Sequence, residues 1–148
     1  MPASNSIAVV DDDPEWGDFV GALLRGQGYE IVHFPSAGRF FDALVKKRYD
    51  LVVLDMRLPG MHGREVIRVL RANPETRCML IIGVSAQDVR SADAVAALNA
   101  GADEYLAKPV DVAFMAARVS ALLRRAGAGA PEPERLTAGP LVVVPQQQ

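Results

Sequence analysis

Apolar residues along the chain fall into two alternating patterns. Short continuous runs, SIAVV (6–10), YEIVHF (29–34), DLVVLD (50–55), CMLIIGVSA (78–86) and EYLAK (104–108), are rich in Val, Ile and Leu, as suits parallel strands covered on both faces. Between the first two, Trp16, Phe19, Val20, Leu23 and Leu24 recur at helical spacing across 14–27, predicting an amphipathic helix. Phe40, Phe41, Leu44 and Val45 repeat the pattern across 36–48, after Ser36 as N-cap. Segments 63–72, 88–99 and 111–125 continue it, and Gly28 and Gly101 stand where helix C-caps are expected. Five strand–helix units predict a doubly wound α/β fold, a parallel sheet with helices on both faces. Right-handed crossovers leave few topologies, the flavodoxin-like (βα)5 order 2-1-3-4-5 among them.

Composition changes this picture only at the ends. After Arg125 the stretch AGAGAPEPE (126–134) cannot build a core and reads as a linker. Beyond it, Leu141 to Val144 is one small apolar run, too little to fold alone and so a docking strand or the start of another domain. The expected organisation is a disordered 1–5, a folded domain over 6–125, and a tail over 126–148. Half of the 148 residues are hydrophobic and the net charge is −2. That balance argues against a nucleic-acid surface on this chain. Lys46-Lys47-Arg48 and Arg124-Arg125 read as solvated helix ends. A single cysteine, Cys78, excludes an internal disulfide and suits a reducing compartment. At the start of an apolar run it reads as a buried structural thiol. No run approaches the ~18 apolar residues of a membrane span and no signal peptide is visible, so a soluble cytoplasmic protein is expected.

The polar residues at the strand ends carry the chemistry. In a doubly wound sheet, ligands bind beyond the carboxyl ends of the strands. The first run ends in Asp11-Asp12-Asp13-Pro14, the third in Asp55, the fourth in Ser85-Ala86 and the fifth in Lys108-Pro109. Each alone is an ordinary loop or helix start; their joint placement on one rim is not. Carboxylates gathered there repel one another, and a hard divalent cation such as Mg²⁺ resolves that repulsion. A carboxylate beside the cation can act as nucleophile toward a phosphoryl group. Ser85 and Lys108 would then neutralise charge on the transferred oxygens. Asp55, closing a strand of otherwise unbroken aliphatics, is the residue placed for that role.

With those residues in hand, the chain resembles the receiver domain of bacterial two-component response regulators over about residues 6–125. VVDDDP (9–14), DLVVLDMRLPGMHG (50–63), VSA (84–86) and GADEYLAKP (101–109) stand in family order and spacing. The resemblance implies that Asp55 accepts a phosphoryl group from a histidine kinase or phosphotransfer protein. It implies that Asp12 binds Mg²⁺ directly, Asp11 mainly through water, and Arg57 through its backbone carbonyl. It makes Ser85 and Tyr105 the switch pair, sets Lys108 against the phosphate, and makes Lys108–Pro109 a cis peptide. ERLTAGPLVVV is similar to the opening strand of the winged-helix domain in the OmpR/PhoB-like subfamily, so the chain is expected to be a fragment or a shortened relative. That likeness implies control of transcription and a homodimer through the fourth helix, fifth strand and fifth helix, with Asp103, Phe114 and Arg118 as contacts. Ala94 and Phe114 stand where that subfamily usually carries charge, which weakens the dimer. His62 replaces a frequent Asp and is expected to be a solvated loop residue, and Gly83, where a side chain usually packs, is expected to loosen the path between the site and the 88–99 helix.

Three other classes are weighed against this. A haloacid-dehalogenase-like phosphatase wants a second acid two residues after the nucleophile, where this chain has Arg57. A flavodoxin-like cofactor binder needs a Ser/Thr/Gly-rich loop after the first strand, where three Asp would repel its phosphate. A receiver-like module that only binds proteins usually lacks an acid or the Lys, and here none is missing. The expected role is therefore a signalling switch rather than an enzyme.

Overall fold

The computed structural model describes residues 5–128. The chain runs through β1 (Ser6–Val10), α1 (Pro14–Arg25), β2 (Glu30–Phe34), α2 (Ala37–Leu44) and β3 (Leu51–Asp55). It continues through a short pair, β4 (Arg57–Leu58) and β5 (Met61–His62), then α3 (Gly63–Ala72), β6 (Leu80–Ser85), α4 (Ala92–Ala100), β7 (Glu104–Ala107) and α5 (Val112–Ala128). Residues up to Ala116 form one compact unit and the remainder of α5 lies in a second. Of the expected disordered 1–5, residues 1–4 lie outside the described residues, as does most of the tail, including Leu141 to Val144.

Five strands form one parallel sheet in the order β2-β1-β3-β6-β7. With β4 and β5 set aside as a separate antiparallel pair, this is the flavodoxin-like order. The sequence pattern did not show that pair; it forms because Pro59 and Gly60 (φ +82°) supply a turn. Strand side chains alternate between faces. Ala8, Val10, Val52, Leu54 and Ile81 join Phe40, Val66, Ile67, Leu70 and Ala97 of α2, α3 and α4 in one core. Alternate positions such as Ile7, Val9 and Val53 are equally buried, and α1 covers β1 and β2. All five strands run the same way, so their carboxyl ends share one rim.

Local chemistry explains where the elements start and where expectations shift. Asp13 caps α1, its side chain accepting from the N–H groups of Glu15 (3.0 Å) and Trp16 (3.4 Å), with Pro14 next to it. Ser36 caps α2 as the sequence implies. α4 starts at Ala92 rather than 88, because Asp88 closes a turn onto Arg90 N–H (2.8 Å) and Ser91 becomes the cap, accepting from Ala94 N–H (3.2 Å). α5 runs to Ala128, past the expected boundary at Arg125.

Three packing expectations are corrected. Phe19, assigned to the apolar face of α1, is half exposed and meets Trp16, because Gly17, Val20, Gly21 and Leu24 form the buried face. Cys78 is exposed rather than buried, since it precedes β6. Ala94, at a position usually charged in the subfamily, faces the core and is 1% exposed. Gly83 does not loosen the path from β6 to α4: a Cβ there would lie 3.1 Å from Met56 Sδ and 3.3 Å from Ala97 Cβ, so Met56 and α4 already fill the space.

Candidate functional site

The sheet sets the rim. Val10 pairs with Leu54, Asp55 with Val84, and Ser85 with Ala107, so Asp11, Asp55, Ser85 and Lys108 leave neighbouring strands at nearly the same height. Asp11, Asp12 and Asp55 each bring a carboxylate oxygen within 4.8 Å of the others. Asp11 and Asp55 are buried and Asp12 is exposed. The acidic run thus divides its labour, Asp13 capping the helix while Asp11 and Asp12 face Asp55.

Lys108 supplies the cation. Its ammonium donates to Asp11 Oδ2 at 2.8 Å and stands 4.7 Å from the centre of the Trp16 ring, a cation–π arrangement that fixes the head group. Lys108 N–H donates to the Ser85 carbonyl (2.7 Å), and the Lys108–Pro109 peptide is cis, as the resemblance implies. Asp55 Oδ1 accepts from Arg57 N–H at 2.9 Å. Burial pushes the Asp55 carboxyl above the usual range; Arg57 N–H opposes this, Asp11 adds to it, Lys108 opposes and Asp12 adds. An all-oxygen donor set of this kind, with Asp55 held against its charge, suits a hard divalent cation.

Two supporting residues escaped the sequence reading. The His33 ring nitrogen Nε2 lies 2.7 Å from the Asp11 carbonyl, and because a carbonyl only accepts, Nε2 carries the proton. The ring fits only because Gly17 faces it; a Cβ there would lie 2.3 Å from His33. The second is Asp93, on the first turn of α4 and 3% exposed. Its Oδ2 accepts from Ser85 Oγ (2.8 Å) and Arg57 Nε (2.8 Å), and its Oδ1 lies 3.5 Å from His62 Nε2. The Arg57 guanidinium holds the Asp93 carboxyl below its usual range against the opposing effect of burial, with Ser85 and His62 assisting. A Ser-x-Asp triplet is an ordinary helix start, so nothing in the sequence marked Asp93 as buried.

His62 is therefore not a free loop residue: it is partly buried and caps α3, its Nδ1 accepting from Arg64 N–H at 3.0 Å. Tyr105 is buried, its hydroxyl donating to the Gln87 carbonyl at 2.6 Å, which ties β7 to the loop before α4. Asp103 Oδ2 accepts from Arg71 (3.0 Å) and from Ile81 N–H (2.9 Å) within the chain. Phe114 is half exposed. It lines, with Val89, Tyr105, Leu106, Pro109 and Val110, a groove of about 400 Å³. Arg118 lies further along α5. No helix among the described residues is long and apolar enough to cross a membrane.

The fold thus places acids, a hydroxyl and a lysine together on one rim of a parallel sheet of this order. The chain belongs to the response regulator receiver domain family, which matches residues 7–120. It is 38% identical over 119 residues to the DNA-binding response regulator MtrA of Mycolicibacterium smegmatis, covering 80% of this chain and 50% of that protein. It is 35% identical over 144 residues to the DNA-binding dual master transcriptional regulator RpaA of Synechocystis, covering 95% of this chain and 59% of that protein. The solved structure of DrrB, a Thermotoga maritima OmpR/PhoB homolog, matches with a TM-score of 0.74 at 28% identity, over 82% of this chain and 54% of that one. The chain spans about half the length of the curated relatives it matches.

Proposed function

We propose that this receiver domain accepts a phosphoryl group on Asp55 from the phosphohistidine of a histidine kinase or phosphotransfer protein. One observation carries the reading: Asp55 ends a central buried strand, its carboxylate gathered with those of Asp11 and Asp12 and Lys108 drawn onto the same cluster. An Asp55 oxygen attacks phosphorus, the P–N bond breaks, and the imidazole leaves with the bonding electron pair. The product is an acyl phosphate, which water later returns to carboxylate and inorganic phosphate. Asp11, Asp12, Asp55 and the Arg57 carbonyl would hold Mg²⁺, which when bound supplies positive charge to the transferred oxygens. Lys108 would stabilise the same oxygens with its own charge, and the Ser85 hydroxyl would donate to one of them.

Phosphorylation then acts as a switch by favouring a second arrangement of Ser85 and Tyr105. The readout is the surface around Tyr105 and Phe114, where the groove offers apolar contact. A homodimer through α4, β7 and α5 uses Asp103, Phe114 and Arg118, with Asp103 exchanging its partner Arg71. The output is control of transcription, since MtrA and RpaA are DNA-binding regulators by name, and this acidic chain does not itself bind nucleic acid. Such a protein works in the cytoplasm and turns over only its own phosphoryl group.

Incubation with acetyl phosphate tests the reading on a phosphate-affinity gel. Wild type is expected to shift in Mg²⁺ and not in EDTA, and Asp55→Ala not at all. A shift that persists in Asp55→Ala would place the phosphoryl group on another residue, and none in wild type with acetyl phosphate or kinases would favour a receiver that only binds proteins.

A further inference from the structure

The Ser85 hydroxyl is engaged, and not with Asp55. It donates to Asp93 at 2.8 Å and accepts from Gln87 N–H at 3.2 Å. A hydroxyl has one proton to donate, so while it serves Asp93 it cannot serve a phosphoryl oxygen on Asp55. The same Asp93 oxygen takes the Nε–H of Arg57, two residues from Asp55, and the other Asp93 oxygen stands near His62. One buried carboxylate on the first turn of α4 therefore gathers the end of β6, the corner after β3 and the end of β5.

We propose that Asp93 is a positioning residue that competes with the phosphorylated Asp55 for the Ser85 hydroxyl. In the resting chain it keeps that hydroxyl on α4; phosphorylation draws it to the rim and loosens the first turn of α4. The inference rests on the phosphoacceptor reading above. Two features make the exchange workable. Both competing acceptors are anions, so the hydroxyl trades one charge-assisted hydrogen bond for another. Asp93 also keeps Arg57 and His62 after Ser85 leaves, so no buried carboxylate is orphaned, which would be costly. Ser85 and Asp93 thereby link the chemistry on the rim to α4.

The test compares initial rates of phosphate incorporation from subsaturating acetyl phosphate in Mg²⁺, using the full chain. Asp93→Ala frees the Ser85 hydroxyl and is expected to react about tenfold faster than wild type, the scale of one charge-assisted hydrogen bond. Asp93→Asn, which keeps an acceptor without the charge, is expected to fall between the two. Ser85→Ala is expected to be slower, and adding Asp93→Ala to it is expected to change nothing, because Asp93 acts through a hydroxyl that is gone. A purely structural role would produce the same Asp93 effect in both backgrounds. Asp93→Ala at the wild-type rate, or equally accelerated without Ser85, overturns the inference while leaving the phosphoacceptor reading intact. Wild type that takes up no phosphate overturns that reading, and this inference with it. If circular dichroism shows Asp93→Ala to be unfolded, Asp93→Asn and the Ser85→Ala/Asp93→Asn pair are judged by the same criteria.

Discussion

Asp55 is held in a form that opposes its own charge. Burial and the neighbouring acids raise its pKa despite Arg57 N–H and Lys108, so without a divalent cation its ionised form is a burden to the native state. The sign follows from linkage: the native chain binds this proton more readily than the unfolded chain. Stability from this group therefore rises as pH falls through the raised pKa and is lost as pH rises. Asp55→Asn removes the charge and keeps the shape, so in EDTA at neutral pH it is expected to be more stable than wild type. Thermal melts in EDTA across pH check this, and the advantage is expected to shrink toward acid. In Mg²⁺ the order is expected to reverse, since a ligand at a hundred times its Kd adds about 2.7 kcal/mol to the chain that binds it. Wild type at least as stable as Asp55→Asn in EDTA would show that the charge is not strained.

Between elements, close approach replaces bulk. Gly83 lets Met56 and α4 reach β6, and Gly17 lets the His33 ring reach the Asp11 carbonyl. Gly83→Ala is expected to cost about 1–3 kcal/mol by overpacking, read from the urea midpoint. Gly17→Ala is expected to cost more, because its Cβ would meet a ring at 2.3 Å, and also to slow phosphate incorporation by displacing His33. A neutral Gly83→Ala would mean that Met56 repacks freely and that β6 and α4 are not tightly coupled. The strand runs and rim residues were legible in the sequence because β1, β3 and β7 announce their ends by a change from aliphatics to charge and β6 by a change to a hydroxyl. The α4 region was not. Its first turn depends on whether Asp88 or Ser91 closes the loop, and one residue of slippage rotates a helix by about 100°. That rotation decides whether Asp93 and Ala94 face the core or the solvent. Gly17 and His33 were equally hidden, since their contact joins α1 to β2 and leaves no trace in either pattern.

Across the whole molecule, one parallel sheet turns four separate sequence signals into a single site. Asp11, Asp55, Ser85 and Lys108 span 97 residues between the first and the last, yet Lys108 and Asp11 share a hydrogen bond. The same sheet joins that site to Tyr105 and α4, the route by which a charge on Asp55 would reach a partner surface. The claim that matters most is the location of the phosphoryl group. An aspartyl phosphate is an acyl phosphate, so borohydride reduces it to homoserine, and peptide mapping of reduced, acetyl-phosphate-treated protein reports the position. The account predicts homoserine at position 55, dependent on Mg²⁺ and absent from untreated protein. Homoserine at position 11, 12 or 13 in place of 55, or at none of the rim acids in protein shown to carry phosphate, would contradict it.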